Sequence, residues 1–538
     1  MRRYATTILL AAAILALDIP STLAAEREQA HAAGLAESGH WVRHAPGAHA
    51  SSARHRHRRS LAYFAQLTDT HIADEASPAR HEGLYGRKPM FGGFWRPQEA
   101  FGPHVVDETV RAINRQRISR LPSAGGPARL RFALVTGDLA DNAQVNEVRW
   151  AVRVLDGGRV DPFSGRRISR ANPCRAPLAV KRRLNRAVAQ RRYAGVAASR
   201  RHVARWPGSL ELAQRRFRAE GLVVPWFSVR GNHDALPQGH YGPRVVHPRS
   251  APTGCRKVMR RRPSATAIAD PWGALRQALP RATFVPPDPR RRFLRSAAEF
   301  RRLHGRADRA HGFGLTSPSE RRRSRGSALY YAFSPHPLMR FIALDTTVDA
   351  AGAGGNLDHP QYLWLTRELR RAERRDQLVV VYAHHPLEMM DNATPDEYAG
   401  SFDRDPRDSR PVHLGRMGRA SLRALLMRNP NVILYLAGHK HYDRVWPNFR
   451  RDGRGFWQVI TNALAGAPQE ARMIELMENG DGSLSIFTTM LGHDASAGSL
   501  ASIARELAWR RRPGGPPASP AGGPMRNVEL VLRDPRRR

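Results

Sequence analysis

Residues 432–441 of the chain read VILYLAGHKH, an apolar run followed by a glycine and two histidines in alternate positions. Alternate residues of an extended segment project to the same side, so His439 and His441 can offer ring nitrogens to one small volume beyond the strand end. They could share one metal ion, or each could bind one of two adjacent ions. A GHxH sequence alone is weak support, because histidines that follow a strand are commonly solvated loop residues.

Four more apolar runs end in residue types that bind metals. The runs, with the motifs that follow them, are 63–67 with DTH at 69–71, 132–136 with GDLAD at 137–141, 223–229 with GNHD at 231–234, and 378–383 with HHP at 384–386. One short motif in a long chain arises easily by chance, whereas five in a fixed order, each behind a predicted strand, do not. The sequence therefore predicts strand ends that converge on one chemical site.

In this order, the motifs DxH, GDxxD, GNHD, a histidine behind a strand and GHxH resemble those of the calcineurin-like metallophosphoesterase superfamily. The resemblance spans residues 61–494. The chain looks like a secreted bacterial-type member of that superfamily with long Arg-rich insertions. It implies an α/β fold, a four-layer α-β-β-α sandwich of two mixed sheets with a metal centre at the strand ends. The alternation of strands and helices along the chain favours the same architecture. The reaction class implied is hydrolysis of phosphate esters, either monoesters or diesters.

Residue by residue, the resemblance implies two metal sites that share Asp138 as a bridging ligand. The other implied ligands are Asp69, His71 and His441 in one site, and Asn232, His384 and His439 in the second. His385 competes with His384 for one ligand position, and the family's ligand lies two residues before the proline, which favours His384. Mixed oxygen and nitrogen ligands suit Mn, Fe or Zn better than Ca or Mg, so the expected cofactors are two divalent or mixed-valence metal ions.

His233 follows the implied ligand Asn232, and neither metal site needs it. The family places the proton donor for the leaving group at this position, and Asp234 is expected to orient the imidazole. The implied mechanism is attack by a hydroxide that bridges the metal ions, with His233 as the general acid. The alternative is a turn histidine without a catalytic role. Asp141 is expected to support the site rather than to bind a metal.

Charge is the unusual feature of the composition. The chain has 538 residues and a formal net charge of +40, and only four of its 87 basic residues are lysines. The arginines are spread over the whole chain, whereas a nucleic-acid-binding protein concentrates them on one face. Coding bias with a solvated basic surface is one explanation, and an acidic partner is the other.

Two functional hypotheses follow. The favoured one is an enzyme that acts on a small phosphate ester such as a nucleotide. The alternative is an envelope protein that binds an anionic polymer or nucleic acid through its basic insertions and keeps a vestigial metal site.

The chain divides into four parts by composition. Residues 1–24 have two early arginines, an apolar run and a small-residue end, which predicts a signal peptide and a secreted or cell-envelope protein. Residues 25–60 are expected to be a disordered His/Arg-rich linker. Residues 61–495 form the predicted metallophosphoesterase domain, with insertions at about 151–221 and 236–327, and residues 496–538 form a basic Gly/Pro-rich tail. No later segment is apolar for long enough to cross a bilayer.

Each insertion contains one of the two cysteines, Cys174 and Cys255. In an exported chain, an even cysteine count permits a disulfide between the insertions, and two free thiols are the alternative. Residues 73–103, rich in Gly, Pro and aromatic residues, form a predicted loop behind the first strand. A loop of that length beside a metal centre is a candidate substrate wall, although its aromatic residues fit a core role equally well.

Overall fold

The structure is a computed structural model. It describes residues 39–80, 93–169, 174–193, 195, 197–240, 252–258, 282–305, 310–348, 352–394, 412–415, 418–510 and 525–536. The predicted signal peptide lies outside these residues. No helix within the described ranges is both long and apolar enough to cross a membrane.

Two large sheets form the centre of the molecule. Their strands, together with two short strand pairs, are β1 Trp41–His44, β2 Arg59–Leu67, β3 Ala133–Val135, β4 Gly158–Val160, β5 Phe217–Ala219, β6 Trp226–Ser228, β7 Arg256–Lys257, β8 Thr283–Phe284, β9 Tyr331–Phe333, β10 Met339–Ala343, β11 Leu378–Tyr382, β12 Val432–Ala437, β13 Arg444–Phe449, β14 Gly455–Ile460, β15 Glu470–Glu478, β16 Ser483–Gly492 and β17 Val528–Arg533. The seven-stranded sheet has the order β1-β17-β16-β15-β2-β3-β6 and the six-stranded sheet the order β13-β14-β12-β11-β10-β9. Both sheets mix parallel and antiparallel pairs.

Helices cover the outer faces and the insertions. They are α1 Gly102–Arg115, α2 Val145–Asp156, α3 Leu178–Ala189, α4 Ala197–His202, α5 Ser209–Ala213, α6 Asn232–Ala235, α7 Ala297–Leu303, α8 Pro318–Arg323, α9 His359–Arg374, α10 Leu422–Arg428 and α11 Leu500–Arg510. Short 3-10 helices lie at Arg54–Arg56, Glu99–Phe101, Pro237–Gly239, Pro289–Arg291, Ala310–Leu315 and Leu387–Met389.

The layers confirm the predicted four-layer α-β-β-α sandwich. Phe64 of the first sheet meets Phe341 of the second edge to face at 5.3 Å between ring centroids, so the main apolar core lies between the sheets. Helix α1 packs on β15 and β16, and helix α9 packs on β11. Asp358 caps α9, because its side chain accepts a hydrogen bond from the Gln361 N–H. A smaller core fills the space between α9, α10 and the second sheet.

Strand β12, which carries the GHxH motif at its end, is buried at every position. It pairs in parallel with β11 on one side and β14 on the other, and an unbroken apolar run is typical of such a strand. In the first sheet, β2, β3 and β6 are also parallel neighbours. Parallel strands place their carboxyl ends at the same edge, so each of the five motifs leaves its sheet beside a parallel neighbour that carries another motif.

Regular elements lie inside the segments predicted as linker and tail. Trp41–His44 forms β1 inside the linker, and it pairs in parallel with β17 from the tail, beginning with Trp41 opposite Val528. Helix α11 packs on α1. Each of these elements is stabilised by a partner that is distant in the sequence. The composition of one segment does not predict such pairing.

The two insertions are covalently joined. A disulfide connects Cys174 to Cys255, which confirms the bridged alternative. Strands β4 and β5 pair at the two ends of the first insertion, so its chain leaves and rejoins the domain at one place. Lys257, two residues beyond the bridge, is buried and donates a hydrogen bond to the Glu75 carbonyl in the loop behind β2. The second insertion thereby contacts the predicted substrate wall.

Candidate metal centre

Backbone and side-chain hydrogen bonds bring the motif loops of both sheets together. Gln66 in β2 donates to the Ala437 carbonyl at the end of β12 over 3.1 Å. The Asp69 N–H donates to the Gly137 carbonyl over 3.1 Å. The His439 N–H donates to Asp69 Oδ2 over 3.0 Å. The ends of β2, β3 and β12 are therefore fixed relative to one another by these hydrogen bonds.

Five implied ligands occupy the left-handed backbone region, where L-residues other than glycine are uncommon. Their φ angles are 52° at Asp69, 41° at His71, 52° at Asp138, 68° at His439 and 55° at His441. Such conformations cost roughly 1–3 kcal/mol each, and they cluster at functional sites where the surrounding structure enforces them. Here they turn successive side chains toward one point immediately behind each strand.

Glycines in two of the motifs allow the loops to approach each other. A Cβ on Gly231 would collide with the Asp138 carboxylate, and one on Gly438 would collide with Thr68 and Asp69. The glycines of GNHD and GHxH are thus required by close packing of one motif against another.

The first ligand cluster comprises Asp69, His71 and His441 together with Asp138. The ligand atoms of the first three lie within 4.8 Å of one another. The Nε2 atoms of His71 and His441 are 3.1 Å apart, and Asp69 Oδ1 is 3.2 Å from His441 Nε2. Asp138 Oδ2 is 3.5 Å from His71 Nε2. Four ligand atoms from three strand ends surround one small volume.

The second ligand cluster comprises Asn232, His384 and His439, again with Asp138. Asn232 Oδ1 lies 2.9 Å from His384 Nε2 and 3.1 Å from His439 Nδ1. The two ring nitrogens are 3.2 Å apart. Asp138 Oδ2 is 3.2 Å from His384 Nε2, so the same carboxylate oxygen borders both clusters.

These spacings fit metal ligands. Two ligands that each lie about 2.1 Å from an ion at near right angles are roughly 3 Å apart, which is the separation found between the facing nitrogens. Within the described residues, Asp69 Oδ1 is buried and accepts no hydrogen bond, although buried polar atoms are normally satisfied. A cation would bind the facing imidazole nitrogens and the unsatisfied carboxylate oxygen. The residues present therefore fit two ions.

Burial and charge set the pKa values of the two histidines at the centre of the clusters. Burial lowers the pKa of His71, but the hydrogen bond with Asp141 and the nearby carboxylates of Asp69 and Asp138 outweigh it and raise this pKa to about 9. Burial likewise opposes the Asp138 charge at His384, whose pKa is also raised to about 9. In metal-free protein both rings therefore hold a second proton at neutral pH, and a bound metal would displace it.

Asp141 supports the first cluster from behind. Its Oδ1 accepts a hydrogen bond from His71 Nδ1 over 3.1 Å, which leaves His71 Nε2 to face the cluster. Arg80 donates to the other oxygen over 2.6 Å and Arg96 donates to Oδ1 over 3.0 Å. Burial raises the pKa of Asp141, but the Arg80 charge and the His71 hydrogen bond hold it well below its usual range. The supporting role expected for Asp141 is the one its contacts favour.

Ligand atoms of His384, His385 and His439 lie within 4.8 Å of one another. Of the two neighbouring histidines, His384 is the one whose ring nitrogen faces Asn232. His384 Nδ1 donates to the Thr136 carbonyl over 2.8 Å and so presents Nε2 to Asn232. His385 uses both nitrogens elsewhere, with Nδ1 2.9 Å from the Thr346 hydroxyl and Nε2 3.1 Å from the Ala353 carbonyl.

His233 borders the first cluster, but Asp234 does not orient it. His233 Nδ1 donates to the backbone carbonyl of Asp141 over 2.7 Å, and its ring meets His71 at 4.4 Å between centroids. The Asp234 carboxylate instead accepts hydrogen bonds from the N–H groups of Ala140 and Gly231. The expected role of Asp234 is thus corrected: it fixes the two motif turns, because at its backbone position those N–H groups are nearer than the ring.

No sequence pattern predicted that Arg80 and Arg96 belong to the site. Both lie in the predicted substrate wall, yet in a chain where arginine is so abundant a single arginine carries little information. The aromatic sequence around Trp95 was the only local signal, and it points to packing as readily as to a site.

Comparisons with known proteins add little to this geometry. No protein-family model and no curated protein sequence matches the chain. Among solved structures, it is similar to a dimetal phosphatase from Danio rerio, with 12% identity and a TM-score of 0.37 over 81% of this chain and 97% of that one. Because so low a TM-score reflects a loose superposition, the functional conclusion rests on the residues of this chain.

Proposed function

We propose that the protein is a metal-dependent phosphoesterase that uses two ions. The observation that carries this proposal is the pair of ligand clusters that share Asp138 Oδ2, which lies 3.5 Å from His71 Nε2 and 3.2 Å from His384 Nε2. A single structural ion needs one closed set of ligands, whereas two sets joined by one carboxylate suit a pair of adjacent ions that act on one substrate. The motif resemblance leads to the same reaction class.

Asp69, His71 and His441 would hold one ion, and Asn232, His384 and His439 the other, with Asp138 between them. Bound ions would neutralise the phosphoryl oxygens and lower the pKa of a water molecule to near neutrality. The mixture of carboxylate, amide and imidazole donors suits Mn, Fe or Zn. The protein itself supplies the fixed orientation of these side chains.

His233 is the proposed proton donor to the leaving oxygen. Its Nδ1 is fixed on the Asp141 carbonyl, so Nε2 is the atom available to a substrate. Burial lowers the pKa of His233 to about 3 in substrate-free protein, and the ring is then neutral at pH 7. A bound phosphate favours the imidazolium form, which is the form that can protonate the leaving oxygen.

The direct test is a screen of phosphate esters on metal-reconstituted protein, with metal content measured in parallel. We expect two equivalents of metal and turnover of at least one ester class, with Asp138→Asn as the inactive control. Full metal occupancy with no hydrolysis of any phosphomonoester or phosphodiester would overturn the proposal.

The alternative, a protein that binds a polyanion, is favoured by one surface feature. Residues 174–193 contain no acidic residue, and α3 exposes Arg182, Arg183 and Arg186. Binding through such a surface should weaken steeply with salt. We expect binding to DNA or a teichoic-type polymer to vanish near physiological ionic strength, and tight binding that persists there would favour the alternative.

We further propose an exported protein, since residues 1–24 have the features of a signal peptide. The disulfide between the insertions is consistent with an oxidising compartment. Detection of the chain in the periplasm or medium, with its first residues removed, would test this.

A further inference from the structure

Arg96 is a nearly buried cation that uses little of its hydrogen-bonding capacity. Its side chain is 8% exposed, and its guanidinium Nη1 donates to Asp141 Oδ1 over 3.0 Å. In the part of the chain that the structure describes, Nε and Nη2 have no hydrogen-bond partner. Neither nitrogen is among the buried atoms that lack a partner, so both reach open space and can donate to an additional acceptor.

Arg80 shows what a purely structural arginine looks like at the same carboxylate. Its side chain is fully buried, and its two terminal nitrogens donate to Asp141 Oδ2 over 2.6 Å and to Glu99 Oε2 over 2.9 Å. Both terminal nitrogens of Arg80 are therefore bound to carboxylates. Arg96, by contrast, uses only one terminal nitrogen on a carboxylate.

The position of Arg96 is fixed beside the first ligand cluster. Its Nη1 shares Asp141 Oδ1 with His71 Nδ1, and its backbone N–H donates to Glu99 Oε2 over 3.1 Å. Two residues later, Gln98 donates to the Ala465 carbonyl over 2.8 Å, and the Ala465 N–H in turn donates to the Asp69 carbonyl. The segment that carries Arg96 is thus attached to a ligand loop.

We propose that Arg96 is a substrate-binding residue that selects phosphomonoesters over phosphodiesters. Its free nitrogens, Nε and Nη2, lie on one edge of the guanidinium and can both donate to a phosphoryl oxygen. With one terminal oxygen on each ion and one on Arg96, three terminal oxygens are needed, which a monoester has and a diester lacks. The dianionic charge of a monoester also matches the added cation. This inference rests on the proposed phosphoesterase function and names its substrate class.

The test compares two esters with the same leaving group, 4-nitrophenyl phosphate and bis(4-nitrophenyl) phosphate, on metal-loaded protein. We expect Arg96→Ala to lower kcat/KM on the monoester by about 10²-fold and on the diester by less than about 10-fold. Arg96→Lys should restore part of the monoester loss, as should added guanidinium ion with Arg96→Ala. Arg115→Ala is the matched control, because Arg115 is exposed and pairs with exposed Asp494 at 2.9 Å.

Binding of inorganic phosphate to the same metal-loaded proteins separates this inference from the proposed function. Calorimetry should show weaker phosphate binding in Arg96→Ala with both equivalents of metal retained. Equal losses on the two esters, unchanged phosphate affinity or lost metal would each overturn the role of Arg96. If wild-type protein bound metal but hydrolysed neither these esters nor any other ester of the screen, the proposed function would fail, and the phosphate affinity would still decide whether Arg96 binds the anion.

Discussion

The two ligand clusters share one carboxylate but are supported differently. In the first cluster, the outer nitrogen of His71 donates to the Asp141 carboxylate, which is itself paired with two buried arginines. In the second cluster, His384 donates to the neutral carbonyl of Thr136, and the Asn232 amide donates to that of Gly239 over 3.0 Å. The first cluster has its own carboxylate in Asp69, whereas the second has the neutral Asn232.

This difference should make the clusters unequal in affinity. A carboxylate behind a histidine increases its basicity more than a carbonyl does, and two carboxylates attract a divalent cation more strongly than one. We therefore expect the first cluster to retain its ion through dialysis and the second to exchange. The site would then combine a firmly held ion with a replaceable one.

The largest effect is expected from a variant that disrupts both clusters. Asp138→Asn should remove both ions and reduce kcat/KM by more than about 10³-fold, because Oδ2 borders both clusters and bridging two cations needs an ionised carboxylate. Metal analysis after gel filtration, with activity on the best ester, is the measurement. Two retained equivalents with full activity would show that Asp138 is not shared.

His233→Ala should leave the clusters intact and affect the chemistry. A general acid contributes about 10² to 10⁴-fold when the leaving group is basic, and much less when it is a nitrophenolate. We expect large losses on alkyl or nucleotide esters, small losses on activated aryl esters, and unchanged metal content. Rates over a graded series of leaving groups check this, and a uniform loss along the series would assign His233 to positioning.

Asp141→Asn should affect only the first cluster. Changes to a residue that supports a metal-binding histidine typically cost about 10 to 100-fold in metal affinity, so one equivalent should become easier to remove while the other is unchanged. Asn232→Ala is the mirror-image variant and should weaken the second cluster alone. Competition with a chelator, followed by metal counting, measures both, and equal weakening of the two ions by either variant would remove the distinction between the clusters.

Metal binding should depend on pH, because an ion that binds at either cluster displaces a proton. The pKa values of His71 and His384 are raised to about 9 in metal-free protein, so below that pH each ion must displace a proton. Apparent affinity should rise about tenfold per pH unit for each displaced proton up to about pH 9 and then level off. Titrations at several pH values measure the slope, and Asp141→Asn should flatten it for the first cluster, since His71 loses the acceptor that raises its pKa.

The smallest effect on the clusters should come from the disulfide. Removing it with Cys174→Ser and Cys255→Ser opens a loop with a sequence separation of 81 and should cost about 4 kcal/mol of unfolding free energy in the chain-entropy model. The ligand clusters are held by strand ends and should keep both metals. Denaturant unfolding with metal analysis tests this, and loss of metal in the double variant would show that the insertions help to form the site.

Sequence alone determined which residues could form the clusters. Each ligand follows an apolar run within a motif of a few residues, and both the strand and the turn behind it depend on neighbours in the chain. The carboxyl-end placement of Asp69, Asp138 and His439 follows from parallel strands. Local patterns were therefore sufficient to predict the four-layer fold and to name candidate ligands.

Tertiary structure decided what supports and surrounds them. Arg96 reaches Asp141 across 45 residues, the carbonyl of Asp141 rather than the carboxylate of Asp234 orients His233, and β1 finds its partner β17 at the other end of the chain. Such contacts join residues that are far apart in the sequence. Arginine is so frequent in this chain that the sequence does not mark any single arginine as functional. Charge balance around a buried carboxylate is a property of the folded interior, so only the folded chain distinguishes Arg80, which is fully paired, from Arg96, which is not.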